Sequence, residues 1–151
     1  MKLTTKGRYG IKAMLALAAE YDSGEKLSAS QLAEMQHISS AYLEQLIASL
    51  KKAGLVNASR GVQGGYSLSR PPEEISLGEV LTALEGNMDL VDCVGCDMDK
   101  SECDSIGSCS ARPIWLELQK RIDDFLDSTS LKDAAEHDIT NIESERNTKA
   151  E

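Results

Sequence analysis

Residues 28–69 leave few folds open to this chain. Ser28-Ala29-Ser30-Gln31 fits a capping box, in which the Ser28 hydroxyl and the Gln31 side chain each satisfy a backbone N–H left over at a helix start. That helix is expected to run to Met35 or Gln36. A second cap, at Ser39 or Ser40, follows His37-Ile38 directly. Two short helices joined by a turn of about three or four residues have the outline of a helix-turn-helix. In the second helix, expected over 40–53, Leu43, Leu46, Ile47 and Leu50 wrap into a single apolar stripe. Its other face carries Ala41, Glu44, Gln45, Ala48 and Lys52, with Tyr42 and Ser49 at the edge. Small residues alternating with hydrogen-bonding ones suit a helix lying in a DNA major groove. An ordinary solvated face has the same pattern, so the helix alone leaves both readings open.

The next segment shifts the balance. Gly54 is a helix stop. Residues 55–59 and 66–69 read as strands flanking Arg60-Gly61-Val62-Gln63-Gly64-Gly65, which makes a hairpin, and a hairpin directly after a helix-turn-helix is a wing. The three glycines allow positive backbone angles and close approach to a phosphate backbone, and Arg60 stands at the shoulder from which a side chain enters a minor groove. A nucleotide-binding loop would instead need a following helix and a Gly-Lys-Ser/Thr, and neither occurs.

Upstream, Ile11, Met14, Leu15, Leu17, Ala18 and Tyr21 recur at helical spacing over 7–21, and Gly24 ends the pattern. Downstream, Arg70-Pro71-Pro72 marks a boundary. A short helix over 75–86 carries Leu77, Val80, Leu81 and Leu84, and a long loop fills 87–110. A last long helix over 112–128 carries Ile114, Trp115, Leu118, Ile122, Phe125 and Leu126. Residues 139–151 are polar and expected to be disordered. The fold class that follows is mainly α with a small β-hairpin wing. A winged helix-turn-helix occupies 1–72, a cysteine-rich loop and dimerisation helix 73–130, and a short segment with a disordered tail 131–151. Internal repeats are absent.

Aromatics make up 4% of the 151 residues, with one Trp and one Phe, so the core is lean and pairing through the last helix would help to stabilise it. A homodimer is therefore expected. The net charge of −9 conceals an asymmetry: residues 1–72 hold nine bases and five acids, residues 73–151 seven bases and twenty acids. A basic half joined to an acidic one fits a nucleic-acid-binding portion with an appendage, here a double-stranded DNA operator as partner. No apolar run approaches the ~20 residues of a membrane span, and the N-terminus lacks a signal-peptide pattern. A cytoplasmic location without membrane association is expected.

All four cysteines, Cys93, Cys96, Cys103 and Cys109, fall in the long loop. In such a chain clustered thiols point to metal or redox chemistry rather than disulfide scaffolding. Soft thiolates select zinc or iron–sulfur clusters. Structural zinc usually takes two close pairs, whereas only Cys93 and Cys96 form one here; iron–sulfur clusters accept wider, less regular spacing. Asp92, Asp97, Asp99, Glu102 and Asp104 surround the thiols with negative charge that a cationic metal core would relieve. Spacing leans towards iron–sulfur and leaves zinc open. His37 and His137 lie in other elements and read as surface or capping residues. A redox enzyme built on Cys93-Val94-Gly95-Cys96 would need a thioredoxin-like strand–helix context that is missing, and Asp92 and Asp97 oppose an activated thiolate.

Four blocks together, Met1-Lys2-Leu3-Thr4-Thr5-Lys6-Gly7-Arg8-Tyr9, Ser40-Ala41-Tyr42-Leu43-Glu44-Gln45-Leu46, Gly54-Leu55-Val56 and Arg60-Gly61-Val62-Gln63-Gly64-Gly65-Tyr66, resemble the IscR-like winged-helix regulators of the Rrf2 family, and the resemblance extends to about residue 130. It implies a dimeric, non-enzymatic transcription regulator paired through its long C-terminal helix. It also implies an iron–sulfur cluster, 2Fe–2S or 4Fe–4S, on three loop cysteines. By position, Ser40, Tyr42, Glu44 and Gln45 match recognition-helix residues and Arg60 the wing arginine; Glu44 would accept from cytosine N4 and disfavour other bases. Lys6, Arg8, Lys51 and Lys52 would meet phosphates, with Gly64 and Gly65 in the wing. Cys93, Cys103 and Cys109 match the family cysteines. The gap from Cys93 to Cys103 is longer than in the IscR pattern, Cys96 is extra, and Arg112 stands where IscR has a ligand histidine, so Cys96 or an oxygen ligand would complete the site. Arg8 replaces the acidic residue found near this position in nitric-oxide-sensing relatives. A cysteine-metabolism regulator of the same family resembles the N-terminal half equally but lacks the clustered cysteines.

Overall fold

Thr4 decides where the first helix begins. In the computed structural model, which describes residues 3–95 and 103–136, its side chain accepts from the Lys6 amide and α1 runs Thr5–Ala19, starting slightly before the periodicity alone indicates. Gly7 and Gly10 are buried in α1. Glycine inside a helix costs about 1 kcal/mol relative to alanine, and here it lets another helix approach: a Cβ at position 10 would strike Leu84.

α2 (Ala29–Gln36) starts with both hydrogen bonds of the Ser28/Gln31 capping box and ends at His37, which takes the left-handed conformation (φ 55°, ψ 42°). Of the two cap candidates for the next helix, Ser39 serves; its hydroxyl accepts from the Tyr42 amide, and Ser40 is the first residue of α3 (Ser40–Lys52). Leu43, Leu46, Ile47 and Leu50 are all buried, as the stripe requires. Gly54, with φ 77°, turns the chain out of α3. β1 (Val56–Ser59) and β2 (Gly65–Leu68) then pair antiparallel, from Val56 opposite Leu68 to Ser59 opposite Gly65. Leu27 forms a further bridge with Tyr66, so the hairpin is fastened to the segment that leads into α2.

After a 3-10 turn at Pro72–Glu74, α4 (Leu77–Glu85) begins with a second capping box, Ser76 and Glu79. Ile75, expected inside this helix, is instead extended and fully buried ahead of it. α5 (Arg112–Ser128) lies against α4, and the chain then turns back: the Leu77 amide donates to Thr129 O and the Leu131 amide to Ile75 O, each at 2.9 Å. This return delivers α6 (Leu131–Glu136) to α1 and places Leu131 in the core. One buried cluster thus draws on Met14, Leu17, Leu32, Leu46, Val80 and Leu131 alike. The expected disordered tail, His137 and Cys96 lie outside the described residues. Among the described residues no helix is long and apolar enough to cross a membrane.

Candidate nucleic-acid interface and cysteine loop

Burial of the leucine stripe orients α3 completely. Its outward face presents Ser40, Ala41, Glu44, Gln45, Ala48, Lys51 and Lys52, all exposed. Tyr42 lies at the edge of this face, as its position on the helix indicates: its ring meets Tyr9 edge-on, with centroids 6.3 Å apart and planes at 90°, and the Lys12 ammonium stands 5.6 Å from the Tyr9 centroid. Tyr42 is therefore half-buried and braced by α1. That brace depends on a long-range contact and has no local sequence signal.

The hairpin folds beside this face. A groove between them is lined by Glu44, Ala48 and Lys51 of α3, by Arg60, Gly64 and Gly65 of the hairpin, and by Ser28 and Ala29 at the start of α2. The fold therefore brings the wing residues and Glu44 into one concave surface. The glycines divide their tasks more than the sequence indicates. Gly61 (φ 104°) and Gly65 (φ 154°) use positive angles, whereas Gly64 donates to Gly61 O at 3.0 Å and has no room for a Cβ, which would overlap Ser59 O. Sequence reasoning missed Lys26, whose ammonium donates to the Ser59 hydroxyl at 2.8 Å and fastens the end of β1 where the turn begins. Lys6 and Arg8 lie in the first turn of α1, with Arg8 exposed.

Cys93 and Cys109 are half-buried, Cys103 is exposed, and none of the three is in a disulfide. Cys96 lies outside the described residues. Two side chains of α5 hold the loop. The Arg112 Nε donates to Cys93 O at 3.1 Å, and Gln119, buried although polar, accepts from the Leu90 amide at 2.7 Å while its amide donates to Asp123 at 2.9 Å. Arg112 thus has a backbone partner that suits a guanidinium, which is not a metal ligand. An all-thiol donor set within one loop fits an iron–sulfur cluster or zinc by its chemistry. Among the described residues, however, no three His, Cys, Asp or Glu side chains gather closely enough to hold a metal ion.

A family model described as Rrf2, iron-dependent transcriptional regulator, matches residues 3–137. The HTH-type transcriptional regulator IscR of Aliivibrio salmonicida is 42% identical over 131 residues, covering 87% of this chain and 75% of that protein. Among solved structures, CymR, the global cysteine regulator of B. subtilis, superposes with a TM-score of 0.74 at 35% identity, covering 89% of this chain and 96% of the other. T. potens IscR superposes with a TM-score of 0.69 at 38% identity, covering 89% and 85%.

Proposed function

The chain belongs to the Rrf2 family of DNA-binding transcriptional regulators, and from that premise we propose that it is a homodimeric repressor or dual regulator that reports iron–sulfur status through its cysteine loop. The observation that carries the DNA-reading part is the groove in which Glu44 of α3 and Arg60 of the hairpin face the same space. α3 enters the major groove, where Gln45 and Glu44 read base edges and the small Ala41 and Ala48 allow the helix backbone to come close. Ser40, Lys6, Arg8, Lys51 and Lys52 meet phosphates, and the wing, with Gly64 and Gly65 giving close approach, carries Arg60 to the minor groove. Residues 1–72 are the reading unit, and 73–130 are the loop and pairing helix. Pairing through α5 is supported by its apolar residues: Ile114 and Phe125 are each 63% exposed in the single chain, and Trp115 and Leu118 are exposed beside them.

Cys93, Cys103 and Cys109 are the residues to hold the cluster, with Cys96 or an oxygen ligand completing the set. When bound, a two-iron or four-iron cluster supplies a redox- and nitric-oxide-sensitive cationic core whose presence depends on iron supply. The chain's own part is to hold the loop against α5 through Arg112 and Gln119, so that ordering of the loop shifts the population competent for DNA. A second reading, a cysteine-responsive regulator without a cluster, has two supports: the superposition on CymR and, among the described residues, no gathering of three metal-ligating side chains. A structural zinc on the same thiols is the third.

The test of DNA reading is selection of bound duplexes from a random pool, followed by titration of Gln45→Ala. The expected loss is about 1–3 kcal/mol on the selected duplex with little change on random DNA. Equal loss on both would overturn base readout.

A further inference from the structure

The helix that leads into the cysteine loop ends on a side chain that the DNA-reading scheme leaves unused. Glu85 is the last residue of α4, and its Oε1 accepts three hydrogen bonds from the start of α1: from Thr4 N at 3.1 Å, Thr4 Oγ1 at 2.7 Å and Gly7 N at 2.9 Å. Thr4 is the cap of α1, and its hydroxyl oxygen in turn accepts from the Lys6 amide at 3.1 Å. The first turn of α1, Thr5-Lys6-Gly7-Arg8, has no acidic residue of its own. The negative charge that favours a helix N-terminus comes instead from α4, 78 residues along the chain from Gly7. Position 7 is open for that carboxylate, because a Cβ there would collide with Glu85 Oε1. On its other side Glu85 adjoins Gly86 (φ 75°), where the chain turns out into the loop that Gln119 next holds at Leu90 and Arg112 at Cys93.

We propose that Glu85 is a positioning residue for DNA binding: it holds the first turn of α1 in the register from which Lys6 and Arg8 reach the phosphate backbone. The inference rests on the reading that Lys6 and Arg8 contact phosphates. A carboxylate shared by two helices is stiffer than a flexible lysine stem, so loss of it frees the whole turn rather than one side chain.

The experiment measures operator affinity of the full-length protein across a range of salt concentrations, because log K falls with log salt by about 0.9 for each phosphate neutralised. Glu85→Ala is expected to flatten this slope by about 2–4, since up to two phosphate contacts are lost in each protomer of the dimer. Gly7→Ala, which displaces the same carboxylate, is expected to flatten it likewise. Glu85→Gln keeps an accepting oxygen and is expected to restore most of the slope. Thermal unfolding and active-fraction titration accompany each variant, since a merely structural defect lowers the active fraction at unchanged slope. The proposal is overturned if Glu85→Ala and Gly7→Ala keep the wild-type slope while Lys6→Ala/Arg8→Ala loses it. If the Lys6/Arg8 double variant also keeps the slope, the phosphate-contact reading itself fails and the proposal falls with it.

Discussion

Glu44 and Gln45 are adjacent on the outward face of α3, yet the proposed function gives them opposite senses on DNA. A glutamine amide can donate and accept at an adenine edge, whereas a carboxylate only accepts, so in this scheme Glu44 would favour cytosine N4 and disfavour acceptor-rich edges. Glu44→Ala is therefore expected to relax the sequence requirement at one position, by about 1–3 kcal/mol of discrimination, while affinity for the best duplex changes less. A selection profile identical to wild type would show that Glu44 reads no base. Glu79 has a different role. Burial pushes its carboxyl up, but the backbone hydrogen bond from Ser76 and the Arg70 guanidinium outweigh it, and the net value lies below the usual 4.5. A carboxylate depressed in the folded state adds stability above its unfolded value, and the contribution is lost as pH falls through the folded value. The thermal midpoint of the wild type is thus expected to fall more steeply below about pH 4.5 than that of Glu79→Gln, and parallel acid limbs would contradict this. Both side chains of the Arg70–Glu79 pair are about two-fifths exposed, at 39% and 44%, so the effect is small. The leucine stripe and the Ser28 cap were legible because each depends on neighbours within one or two helical turns. Tyr42 and Glu85 were not, because their partners, Tyr9 and Thr4, lie far away in sequence.

α5 illustrates how far periodicity carries at the level of elements. Its apolar residues recur at helical spacing and give a helix very near its observed bounds of Arg112–Ser128, but the pattern does not say whether the stripe is covered by this chain or by another. In the structure Ile114 and Phe125 stay open, which makes pairing the expected use. Phe125→Asp and Trp115→Asp are each expected to shift sedimentation from dimer towards monomer with the helical signal retained. A wild-type chain that sediments as a monomer at micromolar concentration would contradict pairing. The two later helices carried signals that periodicity hid. Ser76 and Glu79 form a capping box that places the start of α4 after Ile75. Ser130 and Asp133 bond reciprocally, the Ser130 amide and hydroxyl donating to the carboxylate and the Asp133 amide to Ser130 Oγ. The short α6 is better announced by that cap than by its few apolar residues.

Across the whole molecule, the charge split between residues 1–72 and 73–151 does not divide the core, in which Ile75 and Leu131 pack with Met14 and Leu46. Under the proposed function, that shared core is what would couple the loop-bearing part to the DNA-reading part. The clustering of the cysteines was legible, since it needs no structure. The anchoring of the loop was not: an irregular segment has no period, and its described first part is held at Leu90 and Cys93 by the distant side chains of Gln119 and Arg112. Whether these thiols hold a cluster is the point on which the regulatory scheme depends, and one measurement addresses it: the visible spectrum of protein purified without oxygen, with its iron, sulfide and zinc contents. The expected result is a brown protein with iron and sulfide in comparable amounts, both lost in Cys93→Ala, Cys103→Ala and Cys109→Ala. A colourless protein, with zinc or with no metal, would contradict cluster sensing and leave the winged-helix regulator without it.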